Sequence, residues 1–182
     1  EIQEGVNVRM SMRQSRLAEI TEEGLKMSDY LRQRVFGQDH AIDAFVQGYM
    51  QYLLNEGKRR HPQVFLFAGP SGTGKSSLAK CVCEYLRMPY LQMDMSQYSD
   101  HQSQVSLIGW SQTYKDAREG TLTGYVKRNP RSVLIFDETE KAHLNVKNLF
   151  RCKSCCVYHI PFVIYCLRVC HISFHVLSSL IY

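Results

Sequence analysis

The spacing of apolar residues changes several times along the chain, and each spacing predicts a different element. The clearest helical run has apolar residues three or four positions apart, as on one face of a helix. Its members are Ile42, Phe45, Val46, Tyr49, Met50 and Leu53. A second run with the same spacing follows a glycine-rich stretch and consists of Leu78, Ala79, Val82, Tyr85 and Leu86. Residues 142–150 predict a further helix.

Three short apolar runs, at residues 64–68, 90–95 and 132–136, predict buried strands. Strands that alternate with helices are typical of a parallel sheet covered on both faces. The predicted fold is therefore α/β, a three-layer sandwich around a parallel sheet.

The first 27 residues are polar, rich in Arg, Glu and Met, and show no clear core pattern. They predict a linker with helical character. Ser28 predicts the cap of a short helix that carries Leu31 and Val35, and Gly37 predicts its end. The chain begins with Glu1 and shows no secretory signal, so we interpret it as a fragment or a processed chain.

Composition changes sharply after Phe150. The last 32 residues contain no Asp, Glu, Asn, Gln, Gly or Ala, and they hold five of the seven cysteines. The net charge of +5 comes mostly from this tail, which has three basic and no acidic residues. The nearly neutral body argues against a nucleic-acid-binding face. An odd number of cysteines without a secretory signal favours a reducing compartment over a disulfide framework.

The stretch FLFAGPSGTGKSSLAK, residues 65–80, predicts a phosphate-binding loop between a strand and a helix. Gly69, Gly72 and Gly74 allow backbone conformations that turn successive N–H groups towards a phosphate chain. The dipole of the following helix favours the same anion. Lys75 supplies a cation for the β- and γ-phosphates, and Ser76 supplies a hydroxyl ligand for Mg²⁺.

The run VLIFDE, residues 133–138, predicts a strand that ends in two carboxylates. Asp137 would lie at the carboxyl edge of the sheet, where ligands of such sheets bind, and would support Mg²⁺. Glu138 would orient and deprotonate the water that attacks the γ-phosphate. An exposed acidic turn is the structural alternative for this pair.

Four stretches together resemble the Clp/Hsp100 group of AAA+ ATPases. They are VFGQDHAIDAF, FLFAGPSGTGKSSLAK, DMSQYSDHQSQVSLIG and FDETEKAH. The resemblance spans about residues 25–150 and is to the second ATPase module of the two-module members. It implies a hexameric, ATP-driven protein unfoldase or disaggregase whose partners are polypeptide substrates and Clp-like subunits. It further implies a cytoplasmic location, with mitochondria as the alternative.

The resemblance also assigns roles to individual residues. Val35 and Phe36 would lie against adenine, and the nucleotide-binding loop would comprise Gly69, Pro70, Ser71, Gly72, Thr73, Gly74, Lys75, Ser76 and Ser77. Tyr114 would grip the substrate in a pore loop at residues 109–120. The family usually has Gly-Tyr-Val-Gly there, and this chain has Thr-Tyr-Lys-Asp.

The tail departs from the family, in which a polar sensor strand, an arginine finger and a helical lid follow. Four interpretations of residues 151–182 compete: a membrane anchor, a zinc site, a buried segment that completes the core, and sequence from a frameshift or a retained intron. We favour the last. The zinc site would draw on Cys152, Cys155, Cys156, His159, Cys166, Cys170, His171 and His175. The apolar run is interrupted by Arg168 and Pro161, which argues against a membrane span.

These observations divide the chain into a lead-in at 1–27, a partial AAA+ core at 28–150 and an aberrant tail at 151–182. The predicted function is binding of ATP and Mg²⁺ with hydrolysis. A module that binds nucleotide and full-length subunits without turnover is one alternative. A small-molecule kinase is another, although the two carboxylates favour water as the acceptor.

Overall fold

A computed structural model describes residues 2–55, 62–100, 103–109, 119–151, 162–168 and 175–178. The helices are α1 (Ile2–Arg32), α2 (Asp39–Leu54), α3 (Lys75–Leu86), α4 (Ser103–Ile108), α5 (Thr121–Arg128) and α6 (Leu144–Arg151). The strands are β1 (Gln63–Gly69), β2 (Tyr90–Asp94), β3 (Val133–Asp137), β4 (Phe162–Arg168) and β5 (His175–Ser178). Two short 3₁₀ helices span Met95–Tyr98 and Thr139–Lys141.

The strands form one sheet in the order β2-β3-β4-β1-β5. The first four are parallel, so the carboxyl ends of β1, β2, β3 and β4 share one edge. This confirms the predicted α/β fold with a parallel sheet.

Strand β5 differs, because it pairs antiparallel with β1. Its first residue, His175, lies beside Ala68 near the carboxyl end of β1, and Ser178 lies beside Phe65. Strand β5 therefore begins at the edge of the sheet at which β1 and β4 end.

Apolar side chains cover both faces of the sheet. On one face, α1, α2 and α3 pack against β1, β3 and β4 through a cluster that includes Phe45, Phe65, Leu78, Ile135 and Ile164. On the other face, a second cluster joins the sheet to α5 and α6 and includes Leu122, Leu134, Phe136, Val146 and Val163. A strand such as β3 is apolar at consecutive positions because both of its faces are covered.

The lead-in is one continuous helix, and the predicted cap at Ser28 is wrong. Helix α1 runs through this position, where the Ser28 hydroxyl accepts a hydrogen bond from Arg32 Nε at 3.2 Å. Met27 and Leu31 on either side are fully buried. Burial of this face outweighs the weaker preference of serine for a helix start. The helix ends at Arg32, earlier than predicted, so Val35 lies beyond it, and Gly37, with a φ of 71°, lies in the turn before α2.

Part of the predicted tail lies inside the sheet. Strand β4 pairs with β1 on one side and β3 on the other, and Val163, Ile164 and Cys166 are buried. This arrangement matches the interpretation of the tail as a buried segment that completes the core. The predicted boundary at residue 150 and the frameshift or intron origin concern the natural protein and stay predictions.

The described residues give no support to a membrane anchor or a zinc site in the tail. No helix among the described residues is long and apolar enough to cross a membrane. Most of the cysteines and histidines of the zinc hypothesis lie outside the described residues. Within the described part of the chain, no three His, Cys, Asp or Glu side chains group to hold a metal.

The place of β4 in the core can be tested by shortening Ile164, which is fully buried. We expect Ile164→Ala to lower the free energy of unfolding by about 2–5 kcal/mol, through lost burial and the cavity left behind. Urea denaturation measures this. Leu144→Ala, at a side chain that is 63% exposed, should change it by less than about 0.5 kcal/mol. Equal, small effects at both positions would contradict a core position for β4.

Candidate nucleotide-binding site

The phosphate loop connects β1, which ends at Gly69, to α3, which begins at Lys75. Gly72 and Gly74 have φ angles of 79° and 88°. Side chains other than glycine rarely adopt this left-handed region, so the loop requires glycine at both positions. The helix begins directly at the loop, and Leu78 N donates to Gly74 O at 2.8 Å. The free N–H groups of the first turn of α3 are therefore beside the loop.

Lys75 is a buried cation, with 8% of its surface exposed. Its ammonium donates to Gly69 O at 2.9 Å and to Pro70 O at 2.6 Å. Thr73 Oγ1 also donates to Pro70 O, at 2.9 Å. Carbonyl oxygens compensate part of the cost of burying the charge. Lys75 is thereby held across the loop.

Ser76 and Asp137 are 61 residues apart in sequence and adjacent in space. Ser76 Oγ in the first turn of α3 donates to Asp137 Oδ2 at the end of β3, at 2.6 Å. Gln92 Nε2 on β2 reaches the same oxygen at 3.2 Å. A hydroxyl beside a carboxylate is a pair of hard oxygen donors, which is the chemistry that Mg²⁺ prefers. The donor set therefore fits the predicted metal.

Glu138 has a backbone conformation that is uncommon for a residue with a side chain. Its φ and ψ are 50° and 41°, in the left-handed region, and such strain often marks functional positions. Its carboxylate pairs with Lys141, whose Nζ lies 2.5 Å from Oε2. Both Asp137 and Glu138 line the same cleft as Lys75 and Ser76.

This cleft has a volume of about 770 Å³, within the range of natural ligand pockets. Besides the residues of the phosphate loop and the acidic pair, the ends of β2, α5 and β4 contribute to it. Among the lining residues that the sequence did not assign to the site, those with a polar or thiol side chain are Gln92, Asp94, Gln97, Tyr98, Thr121 and Cys166. Three of them, Asp94, Gln97 and Tyr98, fall in the stretch DMSQYSDHQ, whose resemblance to the family is the signal that could have identified them.

Cys166 lies on β4 between the loop and Asp137 and is fully buried. Burial raises the pKa of its thiol to about 12, and the Asp137 carboxylate adds to this shift, while Lys75 and a hydrogen bond with Ser76 oppose it. The thiol is therefore neutral near pH 7. From the sequence, Cys166 was only a candidate zinc ligand. Its place in the cleft follows from the strand order, which puts β4 beside β1 and the phosphate loop.

Asp94 also lines the cleft, and the pKa of its carboxyl is lowered. Hydrogen bonds from the hydroxyl and the backbone N–H of Ser96 hold its pKa below the ordinary value. Asp94 Oδ1 accepts these two bonds at 2.7 and 2.9 Å. Asp94 is thus ionised near neutral pH and fixed at the start of the 3₁₀ helix.

The two predicted adenine contacts lie at the corner between α1 and α2. Val35 is buried, and a Cβ placed on Gly74 would lie 3.7 Å from its Cγ1. Phe36 is 80% exposed. The corner therefore adjoins the phosphate loop, although the cleft as outlined above includes neither side chain.

Tyr114, the predicted pore-loop residue, lies outside the described residues. The described ends of its loop are joined by an antiparallel bridge between Gly109 and Glu119. Any side chain at Gly120 would collide with the backbone of Leu107, Ile108 and Gly109. The loop is thus closed at its base by a contact that requires glycine.

Comparison with known proteins identifies the family. Residues 60–151 match the family described as the AAA domain, Cdc48 subfamily. The chaperone protein ClpB of Clostridium tetani is 39% identical over 131 residues, which are 69% of this chain and 15% of the relative. The Clp protease ATP-binding subunit ClpE of Lactococcus lactis is 37% identical over 131 residues, 69% of this chain and 18% of the relative.

A plant relative gives the same result. The chloroplastic chaperone protein ClpC of Pisum sativum is 37% identical over 130 residues, 69% of this chain and 14% of the relative. The chain spans less than a fifth of the length of these relatives. The resemblance predicted from four sequence stretches is confirmed, and the chain belongs to the AAA family of ATPase domains, with Clp/Hsp100 proteins as its relatives.

Proposed function

We propose that this chain binds ATP with Mg²⁺ in the cleft and hydrolyses the γ-phosphate. The observation that carries the proposal is the hydrogen bond between Ser76 and Asp137 at 2.6 Å, beside the buried ammonium of Lys75. A phosphate-binding loop and a metal-supporting carboxylate from distant parts of the sequence converge on one point. A glycine-rich turn without function would not require this convergence.

Different groups of the loop would bind the phosphates and the Mg²⁺ ion. The backbone N–H groups around Ser71, Gly72, Thr73 and Gly74 would cradle the phosphates, together with those of the first turn of α3 up to Ser77. Lys75 would exchange its carbonyl partners for phosphate oxygens. Ser76 and Asp137 would hold Mg²⁺, which when bound neutralises charge on the phosphates.

Glu138 is the proposed general base. Its carboxylate lines the cleft one residue beyond Asp137, a position from which it could orient water opposite the γ-phosphate. The pair with Lys141 restrains one carboxylate oxygen, Oε2. In hydrolysis, the water would attack the γ-phosphorus and give one proton to Glu138, while the bond from this phosphorus to the bridging oxygen breaks and ADP leaves with the electron pair.

For the natural protein, we propose a Clp-like role in which ATP hydrolysis remodels polypeptides within a hexameric ring. Tyr114 would contact the polypeptide. The support is the similarity to proteins named ClpB, ClpC and ClpE. The cytoplasm, with mitochondria as the alternative, stays the predicted location.

A second candidate is a module that binds nucleotide, and associates with Clp-like subunits, without turnover. The observation in its favour is that no arginine lines the described part of the cleft. An arginine supplied to the γ-phosphate accelerates phosphoryl transfer by about 10³–10⁵ where it has been measured. Turnover by this chain alone would therefore be slow.

Replacement of Glu138 distinguishes the two candidates. If the chain hydrolyses ATP, we expect Glu138→Gln to reduce kcat by about 10²–10⁴ while ATP binding stays within about twofold. Phosphate release and equilibrium binding measure the two quantities. Glu84→Gln on the exposed side of α3 is the matched control and should leave both unchanged. Tight binding without turnover in the unaltered chain would favour the module.

Removal of the metal tests the role of Asp137. With Mg²⁺ present, we expect Asp137→Asn to weaken ATP binding by about tenfold or more, because a metal-supporting charge is lost. With EDTA, the same variant should bind ATP as well as the unaltered chain or better, because a carboxylate without metal repels phosphate. Titration with and without Mg²⁺ measures this reversal. An equal loss under both conditions would contradict metal support by Asp137.

A further inference from the structure

Arg32 at the end of α1 fastens the corner at which α1 turns into α2. Its Nη1 lies 2.5 Å from Asp39 Oδ1 and its Nη2 lies 2.6 Å from Asp43 Oδ1. Its Nε donates to Ser28 Oγ at 3.2 Å. All three guanidinium nitrogens therefore have partners, and the planar group is fixed in one orientation across two helices.

This ion-pair network joins the start of α2 to the end of α1 through side chains. Gln38 at the N-cap position makes no side-chain hydrogen bond to the helix. Asp39 and Asp43 are one turn apart at the beginning of α2, and Arg32 joins both to α1. Without Arg32, only the buried apolar contacts between α1 and α2 would fix the angle between these helices near the corner.

Within the corner, hydrogen bonds hold Arg34 and Val35 to the end of α1, and the chain turns at Gly37. Arg34 N and Val35 N both donate to Leu31 O, at 3.0 and 2.9 Å. Gly37, two residues on, adopts a φ of 71°. A shift of α2 relative to α1 would therefore fall on Phe36 and Gly37.

Phe36 is placed where such a shift would matter. Its neighbour Val35 lies against the phosphate loop at Gly74, and the Phe36 ring is 80% exposed. An exposed aromatic ring on the residue that follows Val35 offers a stacking surface for a base.

We propose that Arg32 is a positioning residue for the nucleotide base: by joining α1 to the start of α2, it fixes Val35 and Phe36 relative to the phosphate loop. Arg32 itself does not touch the nucleotide. The inference rests on the proposed function, because it needs a nucleotide in the cleft, and it holds whether or not the chain hydrolyses that nucleotide.

The test compares a ligand that has a base with one that lacks it. Calorimetric binding of ATP and of inorganic tripolyphosphate, both with Mg²⁺, is measured for each variant. We expect Arg32→Gln to weaken ATP binding about fivefold, the scale of a lost exposed ion-pair network, and to leave tripolyphosphate binding unchanged. Arg32→Lys, which keeps the charge but not the fork, should recover part of the loss.

Two further variants sharpen the interpretation. Lys26→Gln removes an exposed ion pair with Glu22, at 2.7 Å on the same helix, and should leave both ligands unaffected. Phe36→Ala should weaken ATP but not tripolyphosphate, and adding Arg32→Gln to it should have little further effect. Such non-additivity is what a residue acting through Phe36 requires.

The inference is overturned if Arg32→Gln leaves ATP binding unchanged or weakens both ligands equally. It is also overturned if the unaltered chain binds ATP no better than tripolyphosphate, although phosphate binding would then stand. If the unaltered chain binds neither ligand, the proposed function fails, and the inference fails with it.

Discussion

The hydrogen bond between Ser76 and Asp137 depends on more of the fold than any other interaction in the site. Ser76 follows β1 and the phosphate loop, whereas Asp137 ends β3, and these two strands are not neighbours. Strand β4 lies between them and sets their separation at about 10 Å, twice the spacing of paired strands. Helix α3 must then bring Ser76 over the end of β4 to within 2.6 Å of the carboxylate. Sheet order, loop conformation and helix packing all have to be correct for this contact to form.

The charges of the cleft suit a polyanion. Lys75 carries a buried positive charge that donates to two backbone carbonyl oxygens, and phosphate oxygens can replace these partners. Cys166 borders the same space but stays neutral, because burial raises its pKa to about 12. No second anion therefore stands directly beside Asp137 on β4. In a site of low effective dielectric constant, an additional negative charge there would oppose phosphate binding strongly.

Much of this architecture could be predicted because the signals are local. The apolar run at 64–68 identified β1 to within a residue at either end, since glycine and polar residues bound it. The glycines of the loop identified a left-handed backbone at Gly72 and Gly74, which is a property of single residues. Helix α5 was missed, because it is short and buries only Leu122, Gly124 and Val126. The helix start predicted at Ser28 was wrong, since the preference of serine for a cap stabilises less than the burial of Met27 and Leu31 within a continuous helix. Strand order is a tertiary property, and so the contact between Cys166 and Ser76 had no local signal.

The tail shows how composition and pattern can point in different directions. Its lack of acidic residues and glycine indicated sequence foreign to the domain, yet β1 and β3 each present an edge whose backbone groups need partners. A strand between them is covered on both faces. It therefore needs apolar residues that favour strands at successive positions, without alternation of apolar and polar residues. Residues 163–166, Val-Ile-Tyr-Cys, meet this requirement: Tyr165 stacks on Phe136 with ring centroids 5.3 Å apart, and Ile164 joins the opposite cluster. Because β4 also sets the distance from the phosphate loop to Asp137, the geometry of the candidate site depends on a segment that composition alone would have excluded from the domain.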